Sequence, residues 1–140
     1  MDWDQGLLDD MPRDEHGLRI PWKKRLLLVE DDRDLILMFR TELETLGFKL
    51  EIARTRKQAI GFIQSGVCDC LLTDLCLLEL TGYEVLREWR DCALTRSRPA
   101  VAFTDVVDED HVLYAYYAGA DVVMVEPFPF EDLVKWVQAL

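Results

Sequence analysis

The sequence predicts an α/β fold, a three-layer, doubly wound sheet of five parallel strands with helices on both faces. At 140 residues, the chain is long enough for one domain with a buried core. Short apolar runs alternate strictly with segments whose apolar residues recur at helical spacing, which is typical of β–α–β units. Several of these runs end in carboxylate or hydroxyl residues, and such folds bind ligands at the carboxyl ends of their strands.

The first half of the sheet is predicted from three apolar runs. Residues 25–30 form the first strand, residues 49–53 alternate like the second, and a third run ends at Asp74. Asp32 and Thr55 are suited to cap the two intervening helices, because their side chains accept backbone N–H groups. A glycine follows each helix. The inward-facing residues of these helices are predicted to be Leu35, Phe39, Leu43 and Leu46, then Ala59, Ile60 and Ile63.

The second half repeats the pattern. A loop through Gly82 leads to a third helix, residues 99–103 form the fourth strand, and residues 121–125 form the fifth. Asp108 is suited to cap the fourth helix. The inward stripes of the third, fourth and fifth helices are predicted to be Val85, Leu86 and Trp89, then Val112, Ala115, Tyr116 and Gly119, then Leu133, Trp136, Val137 and Leu140.

Composition excludes several classes of function. The net charge of −11 argues against direct binding of nucleic acid or an anionic membrane, which needs clustered Lys and Arg. No apolar run approaches the roughly 20 residues of a membrane-spanning helix. The four cysteines lie in or beside predicted core elements, which suits reduced thiols in a cytoplasmic protein. A zinc site is disfavoured because His16 and His111 lie far from the cysteines in sequence.

Residues 1–22 differ from the rest of the chain. They are acidic, contain Gly and Pro, and show no sustained period, so we expect a disordered extension that precedes a domain of residues 23–140. A short partner-binding motif is the alternative, since one amphipathic patch could form from Trp3, Leu7, Leu8 and Met11.

The predicted strand ends bring acidic and hydroxyl groups to one edge. Glu30 and Asp31 follow the first strand, Asp74 ends the third, Thr104 follows the fourth and Glu126 follows the fifth. Carboxylates that share a pocket repel one another, so at least one should have a raised pKa unless a cation intervenes. Oxygen ligands favour a hard cation such as Mg²⁺. A carboxylate such as Asp74 can also act as a nucleophile toward phosphorus.

Five marks occur in order along the chain: Leu28-Val29-Glu30-Asp31, Asp74 followed by Gly82, Thr104, Ala118-Gly119-Ala120 and Pro127-Phe128. With these marks, the chain from about residue 25 onward resembles the receiver domain of two-component response regulators, which has the flavodoxin-like fold. The resemblance implies strand order 2-1-3-4-5, Mg²⁺ held by Glu30, Asp31 and Asp74, phosphorylation of Asp74 by a histidine kinase, and a switch hydroxyl on Thr104.

Four residues depart from the pattern of that family. Glu126 stands where the family has the Lys that binds the phosphoryl group, which reverses the sign of the charge. Asp105 replaces a small residue, Val123 a Tyr or Phe, and Leu78 a Pro. Two plainer interpretations stay open: Glu126 points to solvent or pairs with a basic residue, and Asp105 caps the loop before the next helix.

These residues support two functions. The first is a phosphoacceptor in a phosphorelay, with a sensor histidine kinase or phosphotransfer protein upstream and an output domain or partner protein downstream. The second is a pseudo-receiver, a protein-interaction module with little or no phosphorylation. Neither is an enzyme beyond self-catalysed phosphoryl transfer and autodephosphorylation. An unrelated α/β phosphatase or flavin protein is disfavoured, because the sequence has no phosphate-binding loop.

Two features bear on assembly. Tyr114 and Tyr117 fall off the inward stripe of their helix, so we expect them to be exposed, either as a partner surface or as a homodimer contact. The last helix ends early for the family, which is consistent with a piece of a longer regulator.

Overall fold

The computed structural model describes residues 11–78 and 80–140, and in these residues five parallel strands form one sheet in the order β2-β1-β3-β4-β5. The central strand β3 pairs with β1 and β4, with Leu72 opposite Leu28 and Asp74 opposite Phe103. The predicted fold class and strand order are therefore confirmed. The strands are β1 (Arg25–Val29), β2 (Lys49–Ala53), β3 (Cys70–Asp74), β4 (Ala100–Thr104) and β5 (Val122–Val125).

A helix follows each strand, and four of the helices begin at a side chain that accepts backbone N–H groups. Asp32, Thr55 and Asp108 do so as predicted, and Thr81 does so one residue before Gly82. These caps fix the point at which each helix begins after the carboxyl end of the preceding strand. The helices are α1 (Arg33–Thr45), α2 (Arg56–Ser65), α3 (Gly82–Asp91), α4 (Glu109–Ala118) and α5 (Phe130–Ala139).

The strands are apolar throughout because the sheet is covered on both faces. On one face, Leu27 and Leu71 pack against α2, α3 and α4. On the other face, Leu28 and Leu72 pack against α1 and α5, where Phe39 contacts the ring of Phe103. Alternate residues of each strand thus pack into the hydrophobic cores on opposite faces of the sheet.

Four residues predicted to face inward are exposed. Tyr116 is 45 % exposed and Trp136 is 42 % exposed, and Leu46 and Leu140 each keep 40 % of their surface accessible. Leu46 and Leu140 lie at helix ends, beyond the last covered turn. Tyr116 and Trp136 lie beside β5, which is the edge strand in the described part of the sheet. The Tyr116 hydroxyl there accepts the N–H of Val123, at a distance of 3.2 Å.

The predicted extension is described only from residue 11. Residues 11–20 form a turn in which Arg13 and Arg19 make an antiparallel bridge and Asp14 accepts the N–H groups of His16 and Leu18. Of the patch predicted near the N-terminus, Trp3, Leu7 and Leu8 lie outside the described residues. The boundary at residue 23 stays a prediction.

The four cysteines are free thiols. Cys68 and Cys70 are buried, and burial raises the pKa of each thiol to about 12, which makes both unreactive. Cys76 is exposed beside Asp74. None of the helices in the described residues has the length and apolar character needed to cross a membrane.

Candidate functional site

The carboxyl ends of four strands meet at one edge of the sheet and bring the predicted acidic residues together. Asp74 is the last residue of β3, Glu30 follows β1 and Glu126 follows β5. Thr104 ends β4 but is not part of the cavity lining. A cavity of about 190 Å³ at this edge is lined by Glu30, Asp31, Asp32, Leu35, Asp74, Cys76, Asp105 and Glu126.

Glu30 is the most buried acid of the site, with 1 % of its surface exposed. Its Oε1 accepts the N–H groups of Asp31 at 3.0 Å and Asp32 at 3.1 Å. Among residues 11–78 and 80–140, its Oε2 is the one buried side-chain oxygen or nitrogen that no donor reaches. Burial, followed by the neighbouring Asp74 carboxyl, raises the pKa of Glu30 to about 8.

Asp74 is held by its own loop. Its Oδ1 accepts the N–H of Cys76 at 2.8 Å, which orients the carboxyl at the end of β3. Burial raises the pKa of Asp74, and the negative charges of Asp31 and Asp105 raise it further. Because the pKa of Glu30 is raised to about 8 and that of Asp74 is raised as well, this pair of carboxyl groups keeps a proton near neutral pH.

Asp31 links β1 to the loop that follows β3. Its Oδ2 accepts the N–H of Leu78 at 2.8 Å, while the Leu78 side chain is 94 % exposed. The neighbouring acid, Asp32, accepts the N–H groups of Asp34 and Leu35 as the cap of α1. Asp31 therefore reaches the site with one oxygen already bonded, and Asp32 serves the helix.

Glu126 and Asp105 add negative charge to the same cavity. The Glu126 N–H donates to the Thr104 carbonyl at 2.7 Å, which fixes the backbone beside β4. Burial raises the pKa of Glu126, followed by the charges of Asp74 and Asp105. In the described part of the chain Glu126 makes no ion pair, and α4 is capped by Asp108 and not by Asp105. The ion-pair alternative for Glu126 is therefore wrong, and Asp105 is not the cap of α4.

The prediction of raised pKa values is confirmed, but the main cause differs from the one expected. For Glu30, Asp74 and Glu126 alike, burial contributes more than repulsion between carboxylates. The cavity lining includes no Lys, Arg or His. The site is thus a partly buried group of acids with raised pKa values. Its lining has no basic side chain that would stabilise the charged carboxylates.

The acidic side chains of the cavity offer oxygen ligands, which suit a hard cation. These ligands are carboxylate oxygens, and the buried Glu30 Oε2 has an unused acceptor. In the arrangement described for residues 11–78 and 80–140, no three His, Cys, Asp or Glu side chains form a ready-made metal cluster. Loss of the proton that the raised pKa values keep on this pair would free carboxylate oxygens of Glu30 and Asp74 for a cation such as Mg²⁺, with Asp31 beside them.

Thr104 contacts a residue that the sequence pattern did not mark as part of the site. Its Oγ1 lies 2.9 Å from Nε2 of His111, in the first turn of α4, and accepts the Val106 N–H at 3.1 Å. His111 Nδ1 is hydrogen-bonded to the hydroxyl of Tyr83, in the first turn of α3. Both residues lie in the first turn of a helix that follows a strand of the site, and this position is the signal that could have indicated them.

Tyr114 and Tyr117 lie on the outer side of α4, away from the acidic cavity. Their exposed fractions are 65 % and 85 %, so the predicted exposure of both rings is confirmed.

Sequence comparison identifies the family from most of the chain's length. A sequence profile of the response regulator receiver domain matches residues 26–138. The chain belongs to this family. The match covers every strand of the receiver domain apart from Arg25, and it includes Glu30, Asp74, Thr104 and Glu126.

The receiver domain is also similar to curated response regulators. It is 28 % identical over 109 residues to response regulator SaeR of Staphylococcus epidermidis, covering 78 % of this chain and 46 % of the relative. SaeR of Staphylococcus aureus USA300 is 28 % identical over 115 residues, and the match covers 82 % of this chain and 49 % of the relative. The chain thus spans about half the length of the curated relatives it matches.

Solved structures share the fold of this receiver domain. A CheY-like receiver domain protein from Methanospirillum hungatei has a TM-score of 0.76 and 25 % identity, covering 83 % of this chain and 91 % of its own. The receiver domain of sensor histidine kinase PA1611 from Pseudomonas aeruginosa has a TM-score of 0.76 and 26 % identity, with 83 % and 95 % covered. That structure holds a magnesium ion coordinated in the active site cleft.

Proposed function

We propose that this receiver domain accepts a phosphoryl group on Asp74, with Mg²⁺ held by Glu30, Asp31 and Asp74. The observation that supports this best is the unpartnered oxygen of Glu30, buried beside Asp74 in a cavity lined by acids. A buried carboxylate oxygen without a donor is costly, and a cation in the cavity would remove that cost. The donor of the phosphoryl group is a sensor histidine kinase or a phosphotransfer protein.

In the proposed reaction, an Asp74 carboxylate oxygen attacks the phosphorus of a phosphohistidine in the partner. A phosphorus–oxygen bond forms as the phosphorus–nitrogen bond breaks, and the electron pair of that bond stays on the imidazole, which takes up a proton. Bound Mg²⁺ would supply the positive charge that offsets the phosphoryl oxygens. Autodephosphorylation returns Asp74 when water attacks the same phosphorus and releases inorganic phosphate.

Thr104 is the switch hydroxyl of this proposal. It ends β4 beside Asp74, whose strand partner is Phe103, and its hydroxyl group can donate one hydrogen bond to a phosphoryl oxygen. Glu126 and Asp105 act against the reaction because they add negative charge where the transferred group must lie. We therefore expect slow transfer that depends strongly on Mg²⁺.

The second candidate function is a pseudo-receiver that signals by binding a partner without phosphorylation. The observation that favours it is the carboxyl of Glu126, which lines the same cavity as Asp74. The residues that line this cavity include no Lys, Arg or His that could offset its charge. In either case, the exposed rings of Tyr114 and Tyr117 are the proposed surface for an output domain, a partner protein or a second copy of the chain.

Phosphorylation by a small-molecule donor separates the two functions. Acetyl phosphate with Mg²⁺ should add the mass of one phosphoryl group to the intact protein, and EDTA should prevent the addition. Asp74→Asn should abolish it, whereas the control Asp91→Asn, at the exposed end of α3, should not. An unmodified wild-type protein, both with this donor and with phosphorylated kinases, would establish the pseudo-receiver instead.

A further inference from the structure

A chain of hydrogen bonds runs away from Thr104 through two aromatic side chains. Thr104 Oγ1 lies 2.9 Å from His111 Nε2, and His111 Nδ1 is bonded to the Tyr83 hydroxyl. The same Tyr83 hydroxyl donates to the His111 carbonyl oxygen at 2.9 Å. The two rings meet edge to face, with centroids 5.4 Å apart. Thus Tyr83 on α3 contacts both the ring and the backbone of His111 on α4.

The direction of this chain follows from counting protons. Both bonds of the Tyr83 hydroxyl can be made at once only when its single proton goes to the His111 carbonyl oxygen, which can only accept. The Tyr83 oxygen must then accept the ring bond, which places the proton of a neutral His111 ring on Nδ1. Nε2 is left as an acceptor, and only the Thr104 hydroxyl can donate to it. Thr104 Oγ1 itself accepts the Val106 N–H, and it also lies 3.9 Å from Cys76 Sγ, whose S–H can donate to it.

We propose that His111, oriented by Tyr83, is a positioning residue that holds the hydroxyl proton of Thr104 away from acceptors at Asp74. This inference rests on the proposed function, in which Thr104 donates to a phosphoryl group on Asp74. A hydroxyl has one proton, so it cannot donate to the His111 ring and to a phosphoryl oxygen together. Phosphorylation has to break the bond between Thr104 and His111 before the switch hydroxyl is available.

The size of the effect follows from the bond that is lost. A neutral hydrogen bond within a protein contributes about 0.5–1.5 kcal/mol net, which corresponds to a change of roughly two- to tenfold in an equilibrium constant. Variants that release Thr104 should therefore bind a phosphoryl analogue about two- to tenfold more tightly. Tyr83→Phe should have this effect because it removes the acceptor that favours a proton on Nδ1 of His111. Tyr83 does not line the acidic cavity, so the effect would not come from direct contact with the phosphoryl analogue.

Nuclear magnetic resonance of the imidazole nitrogens tests the direction of the chain without any phosphoryl chemistry. The protein has two histidines, His16 and His111, so a His16→Gln variant leaves one ring to observe. The neutral His111 ring should carry its proton on Nδ1, and Tyr83→Phe should move the population toward the other tautomer. A proton on Nε2 in the otherwise unchanged protein would overturn the proposal.

Binding of beryllofluoride with Mg²⁺ tests the competition for Thr104. The concentration for half-saturation should fall about two- to tenfold in Tyr83→Phe and in His111→Leu, and stay unchanged in the control Tyr116→Phe, which removes the hydroxyl of another half-exposed tyrosine of α4. In a Thr104→Val background, neither variant should have any effect. Equal affinities of the variants and the wild type when Thr104 is present, or the same gain in affinity in the Thr104→Val background, would overturn the proposal.

The two proposals fail in different ways. If the wild-type protein binds no beryllofluoride at any Mg²⁺ concentration, the proposed function is wrong, and the competition for Thr104 is wrong with it. In that case, the tautomer of the His111 ring measured by nuclear magnetic resonance would still test the direction of the hydrogen bonds, but not the competition for Thr104. If the wild type binds but the His111 and Tyr83 variants match it, the function stands and the role of His111 is refuted.

Discussion

Glu30 and Asp74 line the same cavity at the ends of β1 and β3, and burial raises the pKa of both carboxyl groups, that of Glu30 to about 8. The protein therefore stores at least one proton at the ends of β1 and β3. A cation that binds both carboxylates must displace that proton, so pH, metal binding and stability are linked at this pair.

The metal-free protein should lose stability as pH rises from about 4.5 to about 8. In this window the folded state keeps a proton on Glu30 that the unfolded chain releases, so the free energy of unfolding falls by up to about 1.4 kcal/mol per pH unit for each such proton. The raised pKa values of Asp74 and Glu126 act in the same direction. Urea denaturation in EDTA across the window measures the slope.

Glu30→Gln is the matched variant for this prediction. The amide keeps an oxygen for the N–H groups of Asp31 and Asp32 and gains a donor for Asp74, so it mimics the protonated acid. The slope should become markedly shallower in this variant and stay steep in Glu42→Gln, which removes an exposed acid of α1. A flat profile in the wild type, or an equal slope in Glu30→Gln, would contradict the assignment.

Millimolar Mg²⁺ should raise the melting temperature and release protons when it binds. Binding to the folded state alone stabilises it by mass action, and the metal needs the deprotonated form of Glu30 and Asp74. Calorimetry in two buffers of different ionisation enthalpy should show release of about one proton near neutral pH, decreasing above about pH 8. Asp31→Asn should weaken binding, and Asp91→Asn should not. An unchanged melting temperature would contradict the metal site.

The fold and the acidic edge could be predicted from the sequence because local patterns determine both. Buried parallel strands are apolar on both faces, so their ends are visible where acids such as Glu30 and Asp74 interrupt the runs. Since parallel strands end at a common edge, these acids could be expected to meet. Side-chain caps such as Asp32 and Thr55 marked the helix starts for the same local reason.

The rest depends on contacts between distant segments. Helical spacing alone predicted Tyr116 as inward-facing, but the exposure of a helix residue is decided by which strand lies at the sheet edge. His111 and Tyr83 were missed as neighbours of Thr104 because they lie on different helices, 28 residues apart in sequence. Burial as the main cause of the raised pKa of Glu30 also follows from packing that a linear sequence does not display.

Glu126→Lys should increase both the rate of phosphorylation by acetyl phosphate and the affinity for beryllofluoride. A cation at this position would offset the charge of Asp74 and of the transferred group, and a preorganised electrostatic group of this kind changes rates by roughly a hundred- to a thousandfold. Glu131→Lys makes the same charge change on the exposed first turn of α5 and controls for the net charge of the protein. Equal rates in the two variants would show that the Glu126 side chain does not act on Asp74.

Gly82→Ala should destabilise the protein and disturb Asp74, because a Cβ at residue 82 would lie 2.3 Å from the Asp74 carbonyl oxygen and 2.6 Å from the Leu75 Cα. Backbone atoms cannot move aside as a flexible side chain can, so we expect a loss of about 1–3 kcal/mol in urea denaturation. Beryllofluoride binding should weaken as well. Gly61→Ala is the matched control, since nothing lies within 4 Å of its Cβ.

At residue 61, in the interior of α2, alanine should instead stabilise the helix by about 0.5–1 kcal/mol through its higher helix propensity. The two variants add the same methyl group, so opposite signs of the change in stability would isolate the contact with Asp74. If Gly82→Ala matched the wild type in stability and in beryllofluoride binding, the close approach of α3 to the end of β3 would not constrain the site. The orientation of Asp74 would then depend on its bond to the Cys76 N–H alone.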